Sequence, residues 1–323
     1  MKFAFNKVGM TSVAVALSVL ASAAGAKEIT LAFVAASLQY PHNVAVAKGF
    51  QDEAKRLGAK VLVLDSKTSV EKQGNAIDDL ITQKVDGIAA ILIDSVVAKT
   101  WVDKAAAANV GFVAAAVQVG DPDKVPLKQV YKNLTALVTD DDVEAGQIAG
   151  EMAAKLLPKG RTAKIGVAEG APGVAAVRQR NQGFEQALAK AGAKYKIVAS
   201  QPTDWTAEKG ESVCQNILTA NPDLDLFFTH YDEIGMGCVR AIRAVGSKVM
   251  LITAGGGSKR SNDAIQAGDM AGSVCTKPQT LGRLAAKALY DAATNMNTPK
   301  ARLITYKMPA VTKATLSECP PEF

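Results

Sequence analysis

Residues 49–60 read GFQDEAKRLGAK and residues 183–194 read GFEQALAKAGAK, so nearly the same stretch occurs twice in the chain. One constant offset also aligns the apolar runs on either side of the two copies: TLAFVAA (30–36) with KIGVAEG (164–170), and VLVLDS (61–66) with YKIVAS (195–200). Each unit is therefore an apolar run, a loop, a helical segment ending in Gly-Ala-Lys, and a second apolar run. Hydrophobic strand, helix and strand in this order are typical of a βαβ unit in a parallel sheet.

The repeated segment itself has the periodicity of an amphipathic helix. Apolar side chains recur at helical spacing in both copies: Phe50, Ala54 and Leu57, then Phe184, Leu188 and Ala191. Gly58 and Gly192 follow at the position where a helix C-cap favours a positive φ. The repeat therefore predicts two equivalent helices, each ending at the same glycine.

Strand and helix patterns continue to alternate after each repeat. The predicted elements are helix 71–84, strand 87–93, helix 97–108, strand 111–117, helix 207–220, strand 224–230, helix 233–245 and strand 249–254. This alternation predicts an α/β fold of two doubly wound parallel-sheet lobes joined by a hinge. Ligands of such sheets sit beyond the carboxyl ends of the strands, so two lobes that face each other there enclose a cleft.

The first residues have the pattern of a secretory signal peptide over residues 1–26. Two lysines precede an apolar stretch at residues 13–24, and AGA at residues 24–26 is a small-residue cleavage site. Lys27, rather than a cysteine, follows that site, so we expect a mature protein without a lipid anchor that diffuses in the periplasm. The formal net charge is +6 and the basic residues are scattered, which argues against nucleic-acid binding.

Four cysteines occur in the second half of the chain: Cys214, Cys238, Cys275 and Cys319. An even number in an oxidising compartment allows up to two disulfides. We expect Cys275 to pair with Cys319 and Cys214 with Cys238; a free, buried Cys214 in helix 207–220 is the alternative to the second pair. The spacing contains no CxxC, so the sequence favours neither a redox motif nor a zinc knuckle.

Enzyme signatures are largely missing from the sequence. The loops after the first strand of each unit, AASLQYPHN and EGAPGVAAVR, lack the G-x-G-x-x-G of a dinucleotide site, and neither a P-loop nor a G-x-S-x-G elbow occurs. The two histidines, His42 and His230, are far apart in the sequence. The loop AGGGSKRS (254–261) could hold an anion at a helix N-terminus, with a flexible strand-to-helix loop as the alternative. We expect no catalysis, no metal and no cofactor.

Several segments carry a resemblance to a known family. They are VDGI (85–88), AGQIAGEMAAKLL (145–157), RQRNQGF (178–184), ASQPTDW (199–205) and YDEIGMGCVRAI (231–242). In this order, and behind a signal-type N-terminus, they resemble the ribose-binding-type periplasmic substrate-binding proteins of ABC importers over essentially the whole mature chain. The resemblance implies a monomeric protein that encloses a small ligand by lobe closure and delivers it to an inner-membrane ABC permease.

The resemblance also implies that each lobe is built from two separate parts of the chain. The expected crossings between lobes lie near residues 138, 276 and 308. The N-terminal lobe would then comprise residues 27–138 plus 277–308, and the C-terminal lobe residues 139–276 plus 309–323.

The resemblance places ligand-binding positions on both lobes and at the hinge. They are Tyr40, His42 and Asn43 in the first loop, Arg178, Trp205, Tyr231 and Asp232 in the second lobe, and Asp142 and Thr276 at the hinge. In the family, aromatic rings sandwich the sugar and polar groups bind its hydroxyls, so we expect Trp205 to form a ring wall and Arg178 to bind paired oxygens. The structural alternatives are a helix cap for His42, cover of a lobe edge for Trp205 and a surface ion pair for Arg178.

Three family positions that bind hydroxyls carry small or apolar residues here. Ala116 and Val117 replace an Asp-Arg pair, an aspartate position falls near Gly256, and another polar position falls near Ile91. A buried hydroxyl without a partner costs roughly 1–3 kcal/mol, which disfavours a typical pyranose. We expect a monosaccharide, deoxy sugar or polyol that makes fewer contacts. A non-sugar metabolite, a sensory role toward a chemoreceptor or sensor kinase, and an enzyme on the same fold are the alternatives.

Overall fold

The computed structural model describes residues 1, 2, 4 and 28–323. Apart from residues 1, 2 and 4, the predicted signal peptide lies outside the described residues. Among the helices that are described, none has both the length and the apolar character needed to cross a membrane.

The first of two six-stranded sheets is built mainly from the first half of the chain. It contains β1 (Thr30–Ala35), β2 (Lys60–Asp65), β3 (Gly87–Ile91), β4 (Gly111–Ala115), β5 (Ala136–Val138) and β11 (Arg302–Ile304), in the order β2-β1-β3-β4-β5-β11. All its strand pairs are parallel. Its helices are α1 (Pro41–Arg56), α2 (Val70–Thr82), α3 (Ala98–Ala107) and α9 (Pro278–Thr294).

The second sheet repeats this plan. It contains β6 (Ala163–Glu169), β7 (Tyr195–Pro202), β8 (Leu226–Thr229), β9 (Met250–Thr253), β10 (Gly272–Val274) and β12 (Ala310–Val311), in the order β7-β6-β8-β9-β10-β12. Its helices are α4 (Asp142–Leu156), α5 (Ala175–Lys190), α6 (Ala207–Ala220), α7 (Asp232–Ala244) and α8 (Lys259–Ala267). The pair β10–β12 is antiparallel. The prediction of two doubly wound lobes is confirmed.

The strand faces show how each sheet is covered on both sides. Along β1, Leu31, Phe33 and Ala35 pack under α1 and α9, whereas Ala32 and Val34 face α2 and α3. The second sheet packs against α4 and α5 on one face and against α6, α7 and α8 on the other. Sheets covered on both faces need nearly continuous apolar strands, which explains the apolar runs beside each repeat.

Glycine is required in the repeated segment for two separate structural reasons. Gly58 and Gly192 adopt φ of 77° and 66°, which confirms the predicted helix ends. Gly49 and Gly183 instead allow close helix packing, because a Cβ at either would overlap a backbone carbonyl of the neighbouring helix. The neighbour is α9 for Gly49 and α4 for Gly183.

The chain passes between the sheets three times, over residues 139–141, 275–277 and 305–309. After β12, residues 319–323, here called the C-terminal strap, contact both lobes. Glu322 accepts hydrogen bonds from α9 and donates its N–H to the Gly257 carbonyl at 3.0 Å. The strap therefore links the lobes beside the second crossing.

Both expected disulfides are present, which confirms the pairing. Cys214 and Cys238 join α6 to α7 inside the second lobe, with 5.2 Å between their Cα atoms. Cys275 and Cys319 attach the C-terminal strap to the second crossing, with 5.9 Å between their Cα atoms. The alternative of a free Cys214 is wrong.

Candidate functional site

A cavity of about 800 Å³ lies between the lobes. The carboxyl ends of β3 and β4, the first crossing and the first turn of α5 line it. A second cavity, of about 530 Å³, lies between the start of α1, the loop before α8 and the C-terminal strap. The polar residues described next lie where the two lobes meet.

Of the two arginines in the segment RQRNQGF, one is buried and the other is exposed at the cavity rim. Arg180 is buried on α5, and its Nε donates to Asp142 Oδ1 at 2.8 Å. Arg178 keeps 58% of its side chain exposed at the cavity rim and forms a two-contact ion pair with Asp123 of the first lobe. Residues two apart on a helix point roughly 200° apart, so only one of them can face the interior. Arg178, which was expected to bind paired ligand oxygens, thus makes the surface ion pair that was its alternative, and Arg180 is the arginine buried at the lobe junction.

Arg180 lies in a buried cluster with two carboxylates, Asp140 from the first crossing and Asp142 from the start of α4. Its Nη2 lies 3.8 Å from Asp140 Oδ2, and its Nη1 donates to the backbone carbonyl of His230. Burial raises the pKa of Asp142 to about 6, although the adjacent Arg180 opposes the rise. Burial also raises the pKa of Asp140. The cluster can present a fixed guanidinium to ligand oxygens because its own carboxylates hold it in place.

The first loop brings His42 to this cluster from the opposite lobe. Asn43 is buried, donates from Nδ2 to the Ser37 carbonyl at 3.0 Å, and has its Oδ1 3.4 Å from His42 Nδ1. Burial lowers the pKa of His42 and the charge of Arg180 lowers it further, while the hydrogen bond to Asn43 opposes the change. Asn43 thus orients His42, while Tyr40 is half-buried at the N-cap of α1 without a cap hydrogen bond from its side chain.

Trp205 and Tyr231 form an aromatic pair in the second lobe. Their ring centroids are 6.4 Å apart, with 74° between the ring planes. Trp205 has φ of 71°, a left-handed backbone that costs on the order of 1–3 kcal/mol for a non-glycine residue. The Tyr231 hydroxyl is buried beside the backbone of His42, and no described residue meets it with the distance and angle of a full hydrogen bond. A buried hydroxyl without a partner at the lobe junction is the feature that a bound ligand would satisfy.

Asp232 and Thr276 have their polar atoms satisfied inside the protein. Asp232 accepts hydrogen bonds from the hydroxyls of Thr253, Ser258 and Ser273 at 3.0, 2.9 and 3.2 Å. It is fully buried at the start of α7, so its expected ligand role is corrected to a structural one within the second lobe. Thr276 donates from Oγ1 to the Gly256 carbonyl at 2.5 Å and lies at the second crossing, as the hinge assignment expects.

The family positions that depart from the hydroxyl-binding pattern line the large cavity or are blocked. Ala116 and Val117 line the cavity from the first lobe, as does Leu92, the residue after Ile91, and their side chains offer no polar atom. Ala116 has φ of 64°, a second left-handed backbone in the cleft. At Gly256 a Cβ would overlap the Ser273 hydroxyl, so the packing itself excludes an aspartate there. The first-lobe wall therefore lacks polar side chains at Ala116 and Val117, while Asp94, Ser95 and Gln118 line the same cavity.

Four important residues of the site were missed by the sequence reasoning: Asp140, Arg180, His230 and Tyr306. A signal existed for Arg180, because it lies three positions before Gly183 on the buried face of the helix. Tyr306 lies in the third crossing and accepts from the Lys277 N–H at 3.4 Å. No sequence pattern pointed to Asp140, His230 or Tyr306. In the part of the chain that is described, no group of three or more histidine, cysteine or carboxylate side chains could hold a metal ion.

Two lobes of equal strand order, with a cavity between them and a buried arginine at their junction, define a two-lobed solute-binding protein. Residues 31–296 match the model of the periplasmic binding protein domain family, and the chain belongs to that family. Members bind and release solutes without chemical conversion. The resemblance, the periplasmic location and the non-enzymatic role expected from the sequence are confirmed.

Curated relatives and solved structures agree with this assignment. The chain is 31% identical over 265 residues to the ribose import binding protein of Bacillus subtilis, covering 82% of each chain. It is 30% identical over 270 residues to the D-allose-binding periplasmic protein of Escherichia coli, covering 81% of this chain and 83% of that one. The Caulobacter myo-inositol binding protein matches the fold with a TM-score of 0.80 at 24% identity, over 90% of this chain and 95% of that one. The protein is thus a periplasmic solute-binding protein, in the same family as these sugar-binding relatives.

Proposed function

We propose that this protein captures a sugar-sized solute that has one polar edge and one apolar edge. A deoxy sugar, a monosaccharide with few enclosed hydroxyls or a small polyol fits this description. The observation that carries the proposal is the Tyr231 hydroxyl, which is buried at the lobe junction without a partner. A ligand hydroxyl placed there would satisfy it, and the same ligand would meet the guanidinium of Arg180, whose charge acts on Tyr231.

The asymmetry of the cleft supports the choice of ligand class. The second lobe brings Arg180, Tyr231 and the ring of Trp205 to the lobe junction, whereas the first-lobe wall at Ala116 and Val117 offers no polar side-chain atom to the adjoining cavity. Transfer of unpaired hydroxyls to that wall would cost roughly 1–3 kcal/mol each. A methyl or methylene edge has no such cost and gains from burial. The names of relatives that bind ribose, D-allose and myo-inositol support a polyhydroxylated ring on the polar side.

Lobe closure about the three crossings would enclose the ligand, and the exposed Arg178–Asp123 pair supports this because it joins the lobes across the cavity rim. We propose that the closed, liganded protein is a monomer and is the form an inner-membrane permease receives. Sedimentation of the mature protein with and without ligand would test the monomer. Delivery would be tested by reconstituted transport with the permease.

The ligand class is tested by thermal unfolding of the mature protein with a panel of solutes. The panel contains D-ribose, D-allose, L-fucose, L-rhamnose, myo-inositol, erythritol, and a set of amines and small acids. A ligand at a thousand times its dissociation constant adds about 4 kcal/mol to the free energy of unfolding, which raises the midpoint by roughly 8–16 °C. We expect the largest shift from a deoxy sugar or polyol. A shift from amines or acids alone would overturn the proposed ligand class.

A further inference from the structure

His230 is a buried histidine that touches two elements of the proposed ligand site from behind. We propose that His230 is a positioning residue whose ring and backbone carbonyl together hold Trp205 and Arg180 in the geometry that ligand binding needs. The inference rests on the proposed function, because it assigns those two side chains to the ligand. His230 itself is fully buried, so its role is to orient other groups.

The ring of His230 fixes the surface on which Trp205 lies. The Gly170 N–H donates to His230 Nδ1 at 3.2 Å. The indole lies directly against Gly170, since a Cβ at that position would overlap the ring. The place of the Gly170 backbone therefore sets the place of the Trp205 wall.

The same hydrogen bond determines which ring nitrogen carries the proton. Because the Gly170 N–H can only donate, Nδ1 must accept, and Nε2 then carries the hydrogen. Nε2 lies 2.8 Å from Asn181 Oδ1, which accepts that hydrogen. Burial, followed by the charge of Arg180, lowers the pKa of His230 to about 3, so the ring keeps this neutral form across the ordinary pH range.

Two further residues fix the orientation of Asn181. Asn181 Nδ2 donates to Glu169 Oε1 at 2.8 Å, and the Ser200 hydroxyl donates to the same oxygen at 2.7 Å. Glu169 is the last residue of β6, so the chain of hydrogen bonds ends on a rigid strand. The His230 ring is thus held at both ends, by Gly170 on one side and by Asn181 on the other.

The backbone of His230 fixes the guanidinium. Arg180 Nη1 donates to the His230 carbonyl, while Nε donates to Asp142. Gly255 leaves the required space, because a Cβ there would lie 2.9 Å from Arg180 Nη1. With two of its nitrogens held, Arg180 keeps only its remaining N–H groups for a ligand, in one orientation.

The test compares His230→Phe with His230→Gln and with Ser200→Ala. Phenylalanine fills the space without either polar atom, glutamine can restore an acceptor and a donor, and Ser200→Ala removes only the outermost hydrogen bond of the chain that holds the ring. The readout is the ¹H–¹⁵N spectrum of the unliganded protein, in which the indole signal of Trp101, buried in the other lobe, is an internal reference. We expect His230→Phe to shift the Trp205 indole and Arg180 Nε signals, with Trp101 unmoved. His230→Gln should restore part of the shift, and Ser200→Ala, which loosens only the far end of the chain, should give smaller shifts in the same direction as His230→Phe.

Affinity provides the second readout. For myo-inositol as the probe, we expect His230→Phe to bind about tenfold more weakly, the equivalent of one lost hydrogen bond. Unmoved Trp205 and Arg180 signals, or an unchanged affinity despite moved signals, would overturn the positioning role. If His230→Phe does not fold, Asn181→Ala must give smaller shifts in the same direction, and their absence would also overturn it. If the unaltered protein ignores the whole solute panel, the proposed function fails, and the signals alone then decide whether His230 holds the two side chains.

Discussion

Arg180 Nε lies 2.8 Å from Asp142 Oδ1, and this contact joins α5 to the first residue of α4, directly after the first crossing between lobes. Both side chains are almost completely enclosed. The contact therefore orients the guanidinium before any ligand arrives. Preorganised charge lowers the cost of ordering at the moment of binding.

The pH dependence of stability should report on Asp142. Its folded-state pKa of about 6 lies above the ordinary 3.8, so the folded protein holds this proton more tightly than the unfolded chain does. The carboxyl therefore contributes stability that is present below about pH 4 and is lost as the pH rises through about 6. As the pH is raised from about 4.5 to about 7.5, we expect the thermal unfolding midpoint of the unaltered protein to decrease relative to that of Asp142→Asn. Parallel curves for the two proteins would show that Asp142 does not titrate in this range.

Substitution of Arg180 and of Arg178 should affect stability and ligand affinity to different extents. Arg180→Gln leaves Asp140 and Asp142 buried without their cation, so we expect about 3–5 kcal/mol of lost stability and a ligand affinity at least about 100-fold weaker. Arg178→Gln removes only an exposed pair, so affinity should fall by less than about fivefold. Isothermal titration calorimetry and denaturant unfolding measure the two effects. Equal losses in both variants would mean that the ligand contacts the cavity rim.

Tyr231→Phe should preserve or raise the stability of the unliganded protein while it weakens ligand binding. The substitution removes a buried hydroxyl that has no partner, so we expect an unchanged or higher midpoint without ligand. Affinity should fall about tenfold, because the hydroxyl is then missing from the complex.

Tyr131→Phe is the matched control for this prediction. The Tyr131 hydroxyl donates to Asp103 at 2.7 Å on the outside of the first lobe, so its loss should lower stability and leave affinity unchanged. A lower midpoint for Tyr231→Phe without ligand, like that of the control, would mean that the hydroxyl is already satisfied.

The two disulfides should differ in their effect on binding. Removing either pair by double alanine substitution should cost about 2–4 kcal/mol of stability. Loss of Cys275–Cys319 frees the C-terminal strap from the second crossing and should also weaken ligand binding, whereas Cys214–Cys238 lies within one lobe and should not affect it. Thiol labelling of the unreduced protein should find no reactive cysteine. A similar loss of affinity in both double variants would exclude a role for the strap in closure.

The ends of helices and strands with a strong hydrophobic periodicity were predictable from sequence to within one or two residues. Helix 207–220 was predicted with the same ends as α6, and strand 87–93 exceeds β3 by only two residues. The short strands β5, β11 and β12 were not predicted, because two or three residues contain no measurable period. Their places are determined by pairing with strands far away in the chain.

The site was predictable in its location but less so in its individual contacts. A carboxylate at the start of a helix, such as Asp232, has the same sequence pattern whether it faces a ligand or its own lobe. Only the fold brings the hydroxyls of Thr253 and Ser273 to it, from two different strands. The assignment of Arg178 failed for a different reason, since it relied on motif position and ignored which side of α5 is buried.

The exposed ion pair between Arg178 and Asp123 should make closure of the lobes modestly sensitive to the salinity of the surroundings. The pair joins the lobes at the rim, where more than half of each side chain is open to water. The Debye length, beyond which salt screens the attraction between charges, is about 30 Å at 0.01 M salt and about 3 Å at 1 M. The attraction between Arg178 and Asp123, which favours the closed form, therefore weakens as the salt concentration rises. A cell that carries this protein would collect scarce solute more efficiently in fresh water than in brine.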